Sequence, residues 1–287
     1  MDRPLVLGLG EALWDRDRIR GERTPGGAPI NFAYYATRHG MRGVALSAIG
    51  RDAQGEELKT CYAKHGIQTE LVEVDWPTGW AETYLDEAGE QRFTIGDEVA
   101  YDHLPVTPRF EELARAASAV CFGTLACRTL TTRRTIEYLL SLTSPSALRV
   151  YDINLRPPHY SAELIEELLC RANVLKLNAE ELLVLRTLYP LPLDEEAACR
   201  WLMEQNDLRM VVLTAGAAYS AIYTSEQSSV LPTPTVEPGD EADTVGAGDA
   251  FTGTLVASLL RGLPLEKAHQ EAVREAAEVC RIRGAWR

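Results

Sequence analysis

Nine consecutive residues, Asp243-Thr244-Val245-Gly246-Ala247-Gly248-Asp249-Ala250-Phe251, carry the strongest chemical signal in the sequence. They lead into the amphipathic run TGTLVASLLRG, so small residues open a helix. Without bulky side chains, the N–H groups of Gly246, Ala247 and Gly248 can approach an anion closely, and the helix N-terminus adds partial positive charge. That arrangement suits a transferring phosphoryl group. Asp249 would repel the phosphate, and it fits instead a carboxylate that accepts a hydroxyl proton beside an oxyanion hole. An ordinary aspartate is a weak base, and a helix N-terminus weakens it further. Phosphoryl transfer tolerates this, because its loose transition state makes little early demand on the nucleophile's proton. A plain glycine-rich helix start, with Asp249 complementing the dipole, is the alternative.

A second cluster, Pro25-Gly26-Gly27-Ala28-Pro29-Ile30-Asn31, also leads into a helix. Paired glycines let a ligand approach backbone amides, and Asn31 can both donate to and accept from hydroxyl groups, which suits a polyol. A turn followed by a helix-starting Asn explains the same residues. Upstream, Asp15 follows a predicted strand and could accept two hydroxyl hydrogens from a sugar, or simply be solvated.

These residues together resemble the ribokinase-type (pfkB-type) carbohydrate kinases. The signature Asp-Thr-x-Gly-Ala-Gly-Asp-x-Phe of that family is reproduced at 243–251, and its Gly-Gly-x-x-x-Asn element at Gly26, Gly27 and Asn31. Gly-Glu-Ala-Leu near the start, with Gly-Gly-Ala-Pro, is similar to fructokinases. The resemblance implies a three-layer α/β/α sandwich with a small β lid over the sugar, and transfer of the ATP γ-phosphate to a sugar hydroxyl. It puts Asp15, Gly26, Gly27, Asn31 and Arg156 at the sugar, the last from a stretch Asp152-Ile-Asn154-Leu-Arg156. Asn178, Thr214, Gly216 and Thr244 fall at the nucleotide, and Glu181 at Mg²⁺ through water. Asn178-x-x-Glu181 is also close to a helix capping box, and Thr214-Ala-Gly216 to a strand-ending turn. Arg283-Gly284-Ala285 resembles half of a monovalent-cation loop, so K⁺ joins ATP and Mg²⁺ among the expected cofactors. The other half, Glu237 to Asp243, is unusually acidic. A lid of this kind also offers a face for a homodimer.

The lid departs from the family pattern. Relatives commonly carry Gly-Glu-Arg-x-Phe, whereas this chain has Gly89-Glu90-Gln91-Arg92-Phe93. Moving an arginine one place along a strand moves it to the other face.

The elements that must position these residues alternate. Short apolar runs (PLVLGLG, VALSAIG, AVCFGT, LRVYDIN, NVLKLN, MVVLTAG) are separated by helical patterns, which predicts an α/β fold around a largely parallel sheet. Helices are predicted over Thr132–Leu142, Ala162–Arg171, Glu180–Leu188, Glu195–Gln205, Gly246–Arg261 and Leu265–Ile282. Two segments break the rhythm. Residues 78–95 alternate like two strands around a short turn, and the stretch after the first strand is too long for a tight βα connection. Segments of about 12–25 and 76–101 are therefore expected to form a β flap within a single domain spanning 1–287.

Length and composition are those of a globular protein with a large core: 287 residues, 46% hydrophobic and 25% charged. The net charge of −13 speaks against nucleic acid or anionic lipid as a partner. No apolar run approaches the roughly 18 residues of a membrane span, and the chain is expected to be cytoplasmic. Six cysteines without a CxxC pair read as reduced thiols. Two rival classes remain. Gly8-Leu9-Gly10 after a strand suggests a dinucleotide-dependent oxidoreductase, but Leu13 occupies the place where that fingerprint wants a small residue. A sugar-binding protein without catalysis would not need Asp249.

Overall fold

The computed structural model describes residues 3–237 and 243–286. The chain starts with β1 (Leu5–Leu9), passes through β2 (Leu13–Asp17) and β3 (Glu22–Gly26), and enters α1 (Ala28–Arg38). Next come β4 (Arg42–Gly50), α2 (Ala53–Lys64), β5 (Gln68–Val74), the hairpin β6 (Gly79–Leu85) and β7 (Gln91–Ile95), and α3 (Pro108–Ala116). Strand and helix then alternate: β8 (Ala119–Gly123), α4 (Leu130–Ser141), β9 (Leu148–Asp152), α5 (Ala162–Leu169) and β10 (Val174–Asn178). Two helices, α6 (Ala179–Leu188) and α7 (Glu195–Gln205), lead to β11 (Met210–Thr214), the hairpin β12 (Tyr219–Thr224) and β13 (Ser228–Pro232), and finally α8 (Ala247–Leu260) and α9 (Leu265–Val279).

Among the described residues nine strands form the central sheet, in the order β13-β12-β11-β10-β9-β8-β1-β4-β5. From β11 to β5 all neighbours are parallel, and the β12–β13 hairpin adds an antiparallel edge. The period of two in β1 divides the core between the faces of the sheet. Leu5, Leu7 and Leu9 pack with α3 to α7, while Val6 packs with Phe32 of α1 and Phe251 of α8. This is the expected three-layer α/β/α sandwich. Helix α8 is buried from Ala250 to Ser258, because it lies between α1, α9 and the sheet. Gly253 makes that approach possible, since a Cβ there would come within 2.7 Å of the Phe32 carbonyl oxygen.

The predicted helices form with their ends displaced by a few residues, as at Leu265–Val279 against the expected Leu265–Ile282. The two segments that break the βα rhythm pair with each other. They make a separate four-stranded sheet, β3-β2-β6-β7, in which β2 and β6 run parallel with Trp14 opposite Trp80. Gly8 has a packing reason rather than a dinucleotide-binding one. A Cβ there would strike the Pro29 carbonyl at the start of α1, and β1 leads into β2 instead of into a helix.

Candidate active site

Parallel strands end on one side of a sheet, and ligand crevices form there, where neighbouring strands leave in opposite directions. Here β1 is that strand: the chain continues from it to β4 on one side and resumes beyond it at β8 on the other. A cleft of about 1050 Å³ opens at this point, between the four-stranded sheet and the starts of α1 and α8. Asp15, Gly27, Asn31 and Arg156 line it, as do Asn178 at the end of β10 and Thr214 at the end of β11. Gly216, Thr244, Gly246, Ala247, Gly248 and Asp249 complete the set that the sequence singled out.

Two anticipated residues lie outside the lining. Gly26 lies against a neighbour that does line the cleft: a side chain there would press on the Asp15 carboxylate, which would have to shift to make room. Glu181 is buried, and both of its oxygens are engaged. Oε2 accepts the Asn178 N–H at 2.7 Å and Oε1 the Leu155 N–H at 2.9 Å, while Asn178 Oδ1 accepts the Glu181 N–H at 2.8 Å. The capping-box reading of Asn178-x-x-Glu181 is thus realised. Arg92 also stays out of the cleft. It is held by Asp86 at 2.7 Å and Glu90 at 3.1 Å, and the adjacent Phe93 lines the cleft instead.

At the start of α8, Gly246 is the N-cap with φ 79°, a left-handed conformation that glycine adopts without penalty. The first N–H groups of a helix have no partner within it, and these border the cleft. Beneath them is a lysine that the sequence reading missed. Lys176, in the middle of β10, is 7% exposed and lies 3.0 Å from Asp152 Oδ1. A Cβ on Gly248 would be only 3.0 Å from its Nζ, so the ammonium abuts the anion seat. Burial pushes the Lys176 pKa down, but Asp152, Glu181 and Asp249 outweigh this and hold it above its ordinary value. The signal that could have revealed it was a single charge inside an otherwise apolar strand.

Asp249 occupies the first turn of α8. Burial, and then the neighbouring Asp152 carboxylate, raise its pKa to about 6, against the opposing effects of Asn31, Lys176 and Arg156. Asn31 Nδ2 donates to Asp249 Oδ2 at 2.7 Å, joining residues from α1 and α8. Burial likewise lifts Asp15 to about 6, with Arg156 opposing and Asp249 and Asp243 adding to the rise. Glu11, just beyond β1, is 5% exposed and lifted to about 7, mainly by burial. Three carboxylates on one cleft, each pushed toward neutrality, make a site suited to hydroxyl groups.

Residues 17–286 match the sequence pattern of the pfkB family carbohydrate kinases. The chain belongs to that family. As a pfkB-family carbohydrate kinase it is 27% identical over 300 residues to a sugar kinase of Pyrococcus horikoshii, covering 98% of this chain and 92% of that one. A fructokinase of Rhizobium leguminosarum bv. trifolii is 28% identical over 288 residues, covering 95% and 85%. The Pyrococcus kinase solved in complex with ATP superposes with a TM-score of 0.80 at 26% identity, covering 98% and 94%. A fructokinase of Xylella fastidiosa with bound ATP gives 0.81 over 98% and 93% of the two chains; at 21% identity this likeness is one of fold.

Proposed function

We propose that this carbohydrate kinase transfers the ATP γ-phosphoryl group to a hydroxyl of a fructose-like sugar, with Asp249 as the proton acceptor. The observation that carries the reading is the juxtaposition at the start of α8. An aspartate with a pKa near 6 stands beside the first amides of the helix and a buried lysine, at the floor of an open cleft.

The residues fit ATP and Mg²⁺. The amides of Gly246 to Gly248, with Lys176 and Arg156, offer positive potential to phosphates, and small residues such as Gly216, Ala276 and Ala277 leave a slot beside them. Among the described residues no group of three or more His, Cys, Asp or Glu could hold a metal. Mg²⁺ would be carried by the phosphates with its waters, and Glu181, whose oxygens accept the Asn178 and Leu155 N–H groups outside the cleft lining, would shape that site by holding the end of β10 and the start of α6. When bound, the nucleotide and metal supply an electrophilic phosphorus with its charge neutralised. The K⁺ expectation falls partly on 238–242, outside the described residues. Asp243 already accepts the Gly284 and Val245 N–H groups.

The protein's own part is to bind, orient and move a proton. Asp15 accepts from two sugar hydroxyls, the second Nδ2 hydrogen of Asn31 donates to a third, and Gly27 lets the sugar approach backbone. The reacting hydroxyl oxygen forms a bond to the γ-phosphorus as the bond to the leaving ADP oxygen breaks, and its proton passes to Asp249. The β3-β2-β6-β7 sheet serves as the lid that keeps water from the same phosphorus.

The test is ADP release across hexoses, pentoses, sugar acids and nucleosides, with and without Mg²⁺. Fructose should lead, and EDTA should abolish turnover. Preference for ribose, 2-keto-3-deoxygluconate or a nucleoside would move the substrate within the family, and full activity without metal would refute the Mg²⁺ assignment.

A further inference from the structure

The side chain of Asn31 lies between two groups that can each play one hydrogen-bonding part. An indole N–H only donates, and an ionised carboxylate only accepts. Trp286 Nε1–H donates to Asn31 Oδ1 at 2.8 Å, and Asn31 Nδ2 donates to Asp249 Oδ2 at 2.7 Å. A carboxamide is nearly symmetric in shape, so its two ends can exchange places by a half-turn unless their neighbours forbid it. Here both neighbours do: the turned amide would set N–H against N–H at Trp286, and oxygen against oxygen at Asp249. The donor at 286 therefore decides which end of Asn31 meets the carboxylate.

Trp286 is itself fixed. Its ring centroid is 5.1 Å from that of His65, 5.7 Å from Tyr62 and 6.2 Å from Tyr34. The preceding peptide is tied to α1 by the Tyr35 hydroxyl, which donates to the Ala285 carbonyl at 2.5 Å. Ala285 also lies against Gly246, where any Cβ would collide with it. The segment that presents the indole is thus packed against both helix starts that build the site. The Asn31 bond occupies Asp249 Oδ2 and leaves Oδ1 for a substrate hydroxyl.

We infer that Trp286 is a positioning residue for phosphoryl transfer: through Asn31 it sets the orientation of the Asp249 carboxylate. The inference rests on the reading of Asp249 as the proton acceptor. Trp286 does not line the cleft and touches no reacting group, so its effect must travel through the amide.

Trp286→Phe keeps an aromatic ring among Tyr34, Tyr62 and His65 and removes the N–H. With the best sugar from the panel, kcat should fall about tenfold, the size of one well-formed neutral hydrogen bond. KM for ATP should stay within about twofold, since no nucleotide contact is touched, while KM for sugar should rise, because the same Asn31 amide donates to a sugar hydroxyl. A residue that merely fills space would lower kcat independently of Asn31, whereas one acting through Asn31 loses its effect once the amide is gone. In an Asn31→Ala background, Trp286→Phe should therefore change kcat by less than about twofold. If phenylalanine lowers the melting temperature, 3-benzothienylalanine at 286 repeats the comparison with the bicyclic shape kept and sulfur in place of N–H. An unchanged kcat in the folded variant, or a full tenfold loss that persists without Asn31, would overturn the inference. Asp249→Asn is assayed alongside: near-normal turnover there would refute the proton-acceptor reading, while an inactive Asp249→Asn with a normal Trp286→Phe would refute only the role of Trp286.

Discussion

Asp249, proposed as the proton acceptor and raised to about 6 in the free protein, would write its titration into the activity. Burial is the main cause of the rise, Asp152 the next, and the Asn31 hydrogen bond limits it. Because the ionised form is the competent one, kcat/KM should be flat above about pH 7 and fall about tenfold per unit below about 6. Asp15 also titrates near 6, so the two share the limb and the slope can be steeper than for one group. A pH profile that stays flat down to 4.5 would contradict the assignment. Lys176 makes a different prediction, on stability. Lys176→Met leaves the Asp152 carboxylate buried with, among the described residues, the Thr252 hydroxyl 3.2 Å away as its remaining side-chain partner. Breaking a buried ion pair from one side costs about 3–5 kcal/mol, which a urea titration should show as a lower midpoint. Adding Asp152→Leu should restore much of that stability without restoring turnover. Asp249, Asn31 and the glycines could be found from the sequence because each belongs to a short local pattern. Lys176 is marked in the sequence only as a lone charge in an apolar strand, and its role was not legible: its partner lies 24 residues away and is brought beside it by the parallel register of β9 and β10.

At the scale of elements, the β6–β7 hairpin was legible because its alternation has a period of two and Asp86–Glu90 closes a short turn. Its consequence for specificity follows from the same period. Thr83 and Phe93 are cross-strand partners and both border the cleft, while Arg92 is drawn back to Asp86 and Glu90 at the turn. Arg92→Ala should therefore leave the sugar KM within about threefold, well short of the 1.4 kcal/mol that a tenfold change represents. Phe93→Ala should raise it more, because the ring is the largest apolar side chain that the β3-β2-β6-β7 sheet gives to the lining. Steady-state KM values for the two variants decide this, and a large effect at Arg92 with none at Phe93 would place the arginine at the substrate after all. The pairing of β2 with β6 was less legible, since parallel partners some 66 residues apart leave no turn signal between them.

At the scale of the molecule, the site is a consequence of topology. Chain order sends β4 and β8 to opposite sides of β1, and the crevice at that reversal receives Glu11 from the end of β1 and Leu125 from beyond β8. Helices α1 and α8 then bring Asn31 and Asp249 together across 218 residues. The alternating strand and helix patterns announce such a sheet, but the order of its strands is set by long-range packing that no local run of sequence records. Trp286 shows the same limit, reaching Asn31 across 255 positions. What unites these scales is the claim that Asp249 takes the proton from the sugar. Asp249→Asn keeps shape and polarity and removes only the proton acceptor, so the most direct measurement is its kcat with the best sugar, beside that of the unaltered protein. A fall of about 10²–10⁴ is expected, with sugar affinity by equilibrium binding changed far less. Turnover within a few-fold of normal in the folded variant would contradict it.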